Sequence, residues 1–328
     1  MSLDVLCLRP EADFARVGAL PPDSFTVAYH APDDAQLAAL IGQARALVIP
    51  AVGPKLPPQL FESSRPGLRL VQVTGAGVDR LDEPAMKKLG IPVANVPGGS
   101  NSAVAEYAVT AASMLLRRFA WADAEIKQGR YAAFRARMIT DNLAGLEGQT
   151  AGLIGLGTIG LAVAKAFQNA GCKLCYFDPA PRDARAAEAL GARSMPLDEL
   201  LSVSDVVSLH VPLAPATVGL IGEGQLAAMK PGAVLIQGSR GGIVDETALA
   251  AHLASGHLGG AAVDVYSSEP PAADNPLLAL QGEGARRLLL TPHIGGVTRQ
   301  SAAFLFRSSW ANIERVLARG EQPHNRVY

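Results

Sequence analysis

The sequence is poor in several features that mark whole classes of protein. Its three cysteines are too few, and odd in number, for a disulfide framework. Lys and Arg total 29 against 30 Asp and Glu, so the formal charge of −1 gives no basic field for nucleic acid or membranes. No apolar run approaches the roughly 18 residues of a transmembrane helix, and residues 1–4 lack the basic start of a signal peptide. We therefore expect a cytoplasmic protein with a small-molecule partner and without nucleic-acid or membrane partners.

Two of the cysteines, Cys172 and Cys175, form a CxxC pair. They lie in an apolar strand pattern, in which positions three apart point to opposite faces. The sequence contains no second pair to complete a zinc site. We therefore expect both cysteines to pack as small apolar side chains, and we predict no metal site.

Short apolar runs alternate with helical patterns in the first part of the chain, which is typical of a parallel sheet with crossover helices. At 328 residues the chain is long enough for two domains. Strands are predicted at residues 3–8, 47–49, 68–73 and 92–95, and a helix at residues 33–42. The Ala-rich segment from Asn101 to about Gly129 is predicted to be one long helix that bridges two domains, with Asn101 or Ser102 as its cap.

A second and more regular alternation begins at Thr150. The apolar patterns predict six strands, at residues 150–154, 173–177, 205–209, 233–236, 259–265 and 288–290. Helical patterns between them include residues 159–170, 183–190 and 245–254. Six strands in this arrangement are typical of a doubly wound fold. A final amphipathic helix is expected from Thr298 to about Arg319.

A glycine-rich turn of the form G-x-G-x-x-G follows the first strand of this second part. Gly155 permits the tight turn, Gly157 lets backbone amides approach a pyrophosphate, and Gly160 allows close packing of helix and strand. Asp178 ends the next strand, where a carboxylate accepts hydrogen bonds from an adenosine ribose and repels a 2′-phosphate. The pattern predicts a dinucleotide site that favours NAD over NADP, a preference that the nearby Arg182 would weaken.

Three later strand ends of the same part carry chemically useful side chains, and ligands of open parallel sheets bind at that edge. Oxidation of a hydroxyl group needs a base for its proton, and the imidazole of His293 suits this role near neutral pH. The planar guanidinium of Arg240 can clamp a substrate carboxylate and polarise the carbonyl. Glu269 can orient His293. A further strand-end histidine, His210, is expected to border the cofactor without a catalytic role.

Several segments together resemble the D-2-hydroxyacid dehydrogenase family, and the likeness extends over nearly the full chain. They are residues 155–160, 210–217, 229–234, 239–246, 264–270 and 291–296. The resemblance implies that Arg240, Glu269 and His293 are the catalytic trio. It also implies that Asp264 contacts the nicotinamide carboxamide. The other predicted cofactor-binding residues of these segments are Thr158, Ile159, Pro212, Thr217, Ser239 and Gly295.

The N-terminal part resembles the substrate domain of this family. Residues 73–79 are similar to a loop whose amides receive the substrate carboxylate, so the predicted substrate-binding residues are Gly75, Ala76, Gly77, Arg240 and His293. The resemblance implies an α/β protein of two doubly wound parallel-sheet domains. One is a smaller, discontinuous flavodoxin-like substrate domain of residues 1–98 and 297–328, and the other is a Rossmann NAD-binding domain of residues 99–296. We also predict a homodimer.

The predicted activity is the NAD-dependent interconversion of a small 2-oxo acid and its (R)-2-hydroxy acid. Two alternatives stay open: a nucleotide-sensing protein such as the corepressors that resemble this family, and a dehydrogenase of another oxyanion such as phosphite. Because the given sequence ends soon after its last helix, we expect no regulatory domain of the kind some phosphoglycerate dehydrogenases carry.

Residues 130–138 depart from the family pattern, because they lack a Trp often found there and contain Arg135 and Arg137 instead. We hypothesise that one of these arginines reaches the rim of an active site, where it would favour a substrate with a second anionic group. A solvated basic segment is the alternative.

Overall fold

Two parallel sheets, one in each of two units of the chain, organise the fold. The computed structural model describes residues 3–64, 67–180 and 184–328. The first unit consists of Met1–Ser100 and Val297–Tyr328, and the second unit consists of Asn101–Gly296. The predicted class, α/β with two doubly wound parallel sheets, is confirmed.

The first unit contains five strands, four α-helices and a short 3-10 helix among its described residues. The strands are Leu3–Cys7 (β1), Val27–Tyr29 (β2), Ala44–Ile49 (β3), Leu70–Val73 (β4) and Val93–Ala94 (β5). The helices are Glu11–Ala15 (α1), Leu37–Gln43 (α2), Glu83–Leu89 (α3) and Arg299–Leu317 (α13), and the 3-10 helix is Pro58–Ser64. The sheet order β2-β1-β3-β4-β5, with all pairs parallel, is the flavodoxin-like order.

Both faces of this first sheet are covered, which explains why its strands are mainly apolar. One face packs against α2, α3 and the 3-10 helix, where Phe61 and Met86 are buried. The other face packs against α1 and α13 through Phe14 and Trp310, whose rings lie 5.3 Å apart. The sequence pattern missed β2 and began α2 four residues early, because residues 33–36 form a turn.

The second unit contains seven parallel strands and nine α-helices among its described residues. The strands are Thr150–Ile154 (β6), Lys173–Phe177 (β7), Arg193–Ser194 (β8), Val206–Leu209 (β9), Val234–Gln237 (β10), Gly260–Val263 (β11) and Leu288–Leu290 (β12). The helices are Asn101–Leu116 (α4), Phe119–Lys127 (α5), Tyr131–Thr140 (α6), Thr158–Asn169 (α7), Ala184–Ala189 (α8), Leu197–Val203 (α9), Glu223–Ala228 (α10), Glu246–Ser255 (α11) and Gly282–Arg286 (α12).

The strand order of this second sheet is β12-β11-β10-β9-β6-β7-β8. The order reverses between β6 and β9, so the loops after these two strands flank the point where doubly wound sheets bind ligands. The sequence predicted six of the seven strands and missed β8, which has only two residues, both exposed.

The segment of residues 101–129 is not one helix, contrary to the prediction. Helix α4 ends at Leu116 and α5 begins at Phe119, and Arg118 between them has a left-handed φ of 53° that interrupts the helix. The guanidinium of Arg118 forms an ion pair with Asp141. The predicted cap was also wrong, because α4 already includes Asn101, whose side-chain amide donates instead to a carbonyl of α7.

The two cysteines of the CxxC pair lie in different cores, on opposite faces of the second sheet. Both are free thiols, and burial raises the pKa of Cys172 to about 11. Within the described parts of the chain, no three His, Cys, Asp or Glu side chains are grouped so that they would hold a metal ion. Nor do these parts contain a helix with the length and apolar character needed to span a membrane.

Candidate functional site

The turn between β6 and α7 is shaped by two of its glycines. Gly155 has φ of 97°, which glycine adopts far more readily than other residues. A Cβ at this position would lie 2.7 Å from the carbonyl oxygen of His210. A Cβ at Gly160 would lie 2.2 Å from the carbonyl oxygen of Gly155. Any larger residue would therefore push the start of α7 away from the sheet.

Helix α7 starts directly after this turn. Its N-cap is Gly157 in an extended conformation, and no side chain of the described residues caps it. The first amides of a helix and the positive end of its dipole attract an anion. The amides of Thr158 and Ile159 therefore suit a pyrophosphate, and the absence of side chains at Gly155 and Gly157 leaves room for a dinucleotide.

Asp178 follows β7, and its side chain is hydrogen-bonded to the glycine turn. Its Oδ2 accepts a hydrogen bond of 2.7 Å from the backbone amide of Leu156, and its Oδ1 accepts one of 2.9 Å from Ala180. These bonds fix the orientation of the carboxylate beside the glycine turn. Arg182, which the sequence predicts to weaken the preference for NAD, lies outside the described residues.

His210 lies across the switch point, directly after β9. Its Nε2 is 2.8 Å from the hydroxyl of Ser208, and burial lowers its pKa to about 4. The imidazole is therefore neutral at pH 7. The loop that follows is closed by the buried Thr217, whose hydroxyl donates to the carbonyl oxygen of Pro212 at 2.6 Å.

The lowered pKa of His210 predicts a pH-dependent stability. In the unfolded chain the imidazole has its ordinary pKa of about 6.5, so between about pH 6.5 and 4 the unfolded state binds a proton that the folded state does not. This contribution to the free energy of unfolding is therefore full above pH 6.5 and is lost as the pH falls towards 4. Urea unfolding at pH 7 and pH 5 should show a fall about 2 kcal/mol larger in the wild type than in His210→Gln. An equal fall in both proteins would contradict this, and His324→Gln at an exposed site is the matched control.

The loops after β10, β11 and β12 carry the predicted catalytic trio. The structure brings two of its members into contact, because Nδ1 of His293 lies 2.8 Å from Oε2 of Glu269. The other oxygen of Glu269 accepts a hydrogen bond of 3.1 Å from the amide of Tyr266, which fixes the carboxylate. Since Glu269 occupies Nδ1, the nitrogen of His293 that remains for proton transfer is Nε2.

Arg240 lies in the turn after β10. Its Nη1 donates to the carbonyl oxygen of Ser239 at 2.8 Å, and the buried Ser239 hydroxyl donates to Gln237 at the same distance. A Cβ at Gly241 would lie 1.7 Å from the carbonyl oxygen of Tyr266. Glycine at position 241 therefore lets the turn with Arg240 pack directly against the loop that carries Glu269.

Asp264 organises the loop that contains His293. His293 has an uncommon left-handed φ of 54°, and its amide donates to the carbonyl oxygen of Asp264 at 2.8 Å. The Asp264 carboxylate is 1% exposed and accepts hydrogen bonds from the amides of Ile294 at 2.8 Å and Gly295 at 2.7 Å. Oδ2 accepts only the bond from Gly295 among the described residues, so a lone pair is left for the predicted contact with a nicotinamide carboxamide.

Sequence reasoning missed several side chains that support these loops. Glu246, the first residue of α11, accepts hydrogen bonds from the amide of Ser267 at 2.7 Å and from the side chain of Asn275 at 2.6 Å. It thereby holds both ends of the loop that carries Glu269. The only sequence signal was its position in a segment that resembles the family. Tyr107, whose hydroxyl contacts Thr291, was also missed.

In the first unit, the loop after β4 contains the residues predicted to receive a substrate carboxylate, Gly75, Ala76 and Gly77. The carbonyl oxygens of Gly75 and Ala76 accept hydrogen bonds from the Val96 amide at 2.8 Å and the Asn95 side chain at 2.6 Å. No hydrogen bond within the described residues uses the amides of these three residues as donors. The loop therefore offers three donors to an anion.

Arg135 and Arg137, the two arginines inside the segment of residues 130–138 that differs from the family pattern, have different surroundings. Arg137 forms a two-pronged ion pair with Glu283, at 2.8 and 3.0 Å, and lies 4.6 Å from the centre of the Trp121 ring. Arg135 is exposed. An arginine that already pairs with a carboxylate is a poor receptor for a substrate anion, so the hypothesis of a substrate contact now depends on Arg135.

Comparison with known proteins relates the second unit to a described domain family. Residues 109–295 match the family model of the D-isomer specific 2-hydroxyacid dehydrogenase, NAD binding domain. The matched range contains the glycine turn, Asp178 and the three residues predicted to be catalytic, Arg240, Glu269 and His293. Because the matched domain is described as NAD binding, it confirms the cofactor predicted from the sequence.

The chain is also similar to proteins of known sequence and structure. It is 39% identical to the D-3-phosphoglycerate dehydrogenase of Archaeoglobus fulgidus over 71% of its own length and 42% of that protein. It is 40% identical to the (S)-sulfolactate dehydrogenase of Chromohalobacter salexigens over 76% of the chain and 77% of that protein. A crystal structure of a Thermus thermophilus protein matches 99% of the chain and 100% of that protein, with a TM-score of 0.84 and 31% identity. The chain thus spans less than half of the first of these relatives and most of the other two.

Proposed function

This chain belongs to the D-isomer specific 2-hydroxyacid dehydrogenase family, and we propose that it interconverts a small 2-oxo acid and its (R)-2-hydroxy acid with NAD. The observation that carries the proposal is the contact of 2.8 Å between His293 and Glu269. It lies in the same unit as a glycine turn that fits a dinucleotide. A histidine oriented by a carboxylate is suited to move the proton that accompanies a hydride.

The residues of the second unit divide into those that hold the cofactor and those that act on the substrate. In this proposal the glycine turn and the first amides of α7 hold the pyrophosphate, and Asp178 holds the adenosine ribose. Bound NADH supplies the hydride in reduction, and NAD⁺ accepts it in oxidation. The remaining cofactor contacts are assigned to His210, Pro212, Thr217, Ser239, Asp264 and Gly295.

The chemistry of reduction follows from three side chains. Arg240 binds the substrate carboxylate and polarises the carbonyl group that is reduced. As the carbonyl carbon gains the hydride, Nε2 of protonated His293 donates a proton to the carbonyl oxygen, and Glu269 stabilises the imidazolium that this step requires. In oxidation neutral His293 takes the proton back, so the two directions should have opposite pH trends. The amides of residues 75–77 are assigned to the substrate carboxylate.

The names of the two relatives suggest which 2-oxo acids to test. Phosphoglycerate and sulfolactate both carry a second anionic group beside the carboxylate. In sulfolactate the sulfur-bearing branch outranks the carboxylate, so the label S denotes the spatial arrangement that is called R in lactate. Both kinds of substrate are therefore consistent with one stereochemical course.

A substrate panel tests this function. NADH consumption is measured with glyoxylate, hydroxypyruvate, phenylpyruvate and 3-sulfopyruvate, and NAD⁺ reduction is measured with phosphite. We expect turnover of at least one 2-oxo acid by the wild type and almost none by His293→Ala. Tight NADH binding without turnover of any compound would contradict the proposal and would favour a nucleotide-sensing protein. Turnover of phosphite alone would identify the other oxyanion alternative.

The charge of Asp178 should set the preference for NADH over NADPH. Its carboxylate would lie beside the 2′-phosphate of NADPH, and like charges in a binding site cost several kcal/mol. We expect Asp178→Asn to lower the ratio of kcat/KM for NADH over NADPH at least about tenfold. Asp198→Asn, at an exposed position of the same unit, should leave the ratio unchanged. A wild type that prefers NADPH would rule out this role for Asp178.

The homodimer and the cytoplasmic location remain predictions from the sequence, as does the absence of a nucleic-acid partner. Light scattering coupled to size-exclusion chromatography measures the first of these directly.

A further inference from the structure

A chain of two hydroxyl groups leads from helix α4 to the buried carboxylate of Asp264. The hydroxyl of Tyr107 lies 2.8 Å from Oγ1 of Thr291, and this Oγ1 lies 2.5 Å from Oδ1 of Asp264. Tyr107 and Thr291 are 184 positions apart in sequence. All three residues belong to the second unit.

The direction of the hydrogen bonds in this chain follows from the number of protons available. An ionised carboxylate only accepts, so the single hydroxyl proton of Thr291 is donated to Asp264. Tyr107 must then donate its own proton to Thr291. Burial raises the pKa of Tyr107 to about 12, so the phenol keeps this proton throughout the pH range of an ordinary assay.

Thr291 is held at both its hydroxyl and its backbone. The hydroxyl of Tyr266 donates to the Thr291 carbonyl oxygen at 2.9 Å, while Tyr107 holds Oγ1. The ring of Tyr107 also lies against Gly295, where a Cβ would be 3.4 Å from the ring and 2.9 Å from Oδ2 of Asp264. Tyr107 therefore contacts the His293 loop near both of its ends.

We propose that Tyr107, acting through Thr291 and Asp264, is a positioning residue that sets the place of His293 for proton transfer. The Asp264 carboxylate accepts from the amides of Ile294 and Gly295, directly after His293, and the Asp264 carbonyl oxygen accepts from the His293 amide. The orientation of the carboxylate therefore affects the path of the loop and the direction of the imidazole. Without the Tyr107 hydroxyl, Thr291 loses the bond that fixes its rotamer, and the buried carboxylate loses a fixed donor. This inference rests on the proposed function for its activity readout.

Removal of one hydroxyl group from the series of hydrogen bonds tests the positioning role of Tyr107. A misplacement of about 1 Å costs on the order of 100-fold in rate, so we expect Tyr107→Phe to lower kcat by about 10- to 100-fold. The Kd of NADH should change less than about threefold, because its other predicted contacts are untouched. The deuterium isotope effect on kcat from deuterated NADH should rise, because a slower chemical step becomes rate-limiting. The matched control is Tyr131→Phe at a site that is 62% exposed, and it should behave as the wild type.

Two substitutions at Thr291 distinguish the effect of its hydroxyl group from the effect of its side-chain volume. Thr291→Ser keeps the donor and should retain most of the activity, whereas Thr291→Val keeps the shape and should lose about as much as Tyr107→Phe. The double variant Tyr107→Phe with Thr291→Val should lose little more than either single variant, because both break the same chain. A Tyr107→Phe protein with a lowered Tm and an unchanged kcat would overturn the proposal, since Tyr107 would then only stabilise the fold.

A measurement that needs no turnover separates this inference from the proposed function. The ring resonances of His293 are identified in labelled protein by their loss in His293→Ala. We expect Tyr107→Phe to shift or broaden them, and Tyr131→Phe to leave them unchanged. If the wild type reduces no 2-oxo acid, the proposed function fails while these spectra still test the positioning role. Unchanged His293 resonances in Tyr107→Phe would overturn the inference whether or not the enzyme is active.

Discussion

Replacement of His293 by alanine is expected to lower kcat for 2-oxo acid reduction by roughly 10²- to 10⁴-fold, the contribution usual for a positioned acid–base group. The carbonyl oxygen gains negative charge as the hydride arrives, and in the proposed mechanism His293, which lies 2.8 Å from the carboxylate of Glu269, neutralises this charge. Binding of NADH should change less than about threefold, because the imidazole of His293 is not among the groups proposed to contact the cofactor. Stopped-flow or steady-state NADH consumption gives the first quantity, and fluorescence titration gives the second.

The matched control is His324→Ala, at an exposed histidine of the first unit. It should keep wild-type kcat and NADH binding. Full activity in His293→Ala would remove the acid–base role. Loss of NADH binding together with activity would instead show that the loop around His293 supports the cofactor site.

The second large effect on activity is expected from the replacement of Arg240 by lysine. Lysine keeps the positive charge but not the planar, two-pronged donor that matches a carboxylate. Hydrogen bonds to charged groups contribute about 1.5–3 kcal/mol each, so Arg240→Lys should lower kcat/KM for the 2-oxo acid by roughly 100-fold. Because Arg240 is also proposed to polarise the reacting carbonyl, kcat should fall along with the rise in KM. Initial rates over a range of substrate concentrations separate the two parameters.

Arg16→Lys provides a control for the same chemical change, because the Arg16 side chain is 72% exposed. An Arg240→Lys enzyme with unchanged kcat/KM would mean that the charge alone is sufficient and that the guanidinium does not clamp the carboxylate. The amides of residues 75–77 would then be the main receptor for this group.

The sequence predicted the strands that have strong apolar patterns and clear ends. For β6, β7 and β12 the predicted and observed bounds agree, because each is a run of mainly apolar residues with a polar or glycine-containing turn beside it. Strand β8 has no such pattern, since Arg193 and Ser194 are both exposed. It exists because its backbone pairs with β7 at the edge of the sheet. Edge pairing of this kind leaves no hydrophobic signal in a sequence.

The interruption of the helix at Arg118 is a second feature that the sequence did not predict. Arginine is a good helix former, and residues 101–127 contain no proline and no glycine, so nothing local predicted an interruption. The break is stabilised by distant groups, because Arg118 pairs with Asp141 and lies 5.4 Å from the centre of the Trp121 ring. Contacts of this kind override local helix propensity.

The same contrast between local sequence signals and distant contacts applies to the candidate site. Residues of special chemistry at strand ends, such as Arg240 and His293, could be proposed from the sequence because the sheet topology dictates where such ends meet. The side chains that hold them were not found. Tyr107 looks like an ordinary residue of an Ala-rich helix, and only the folded structure places its hydroxyl 2.8 Å from Thr291.

The central claim is transfer of a hydride from NADH to C2 of a 2-oxo acid with formation of the (R)-hydroxy acid. It is tested most directly by incubating the enzyme with NADH deuterated at the transferred position and with the 2-oxo acid it reduces fastest. Mass spectrometry and chiral chromatography then analyse the product. The account predicts a single deuterium at C2 of a product in the D-type arrangement. A product without the label, a product of the opposite hand, or no product from any 2-oxo acid would contradict it.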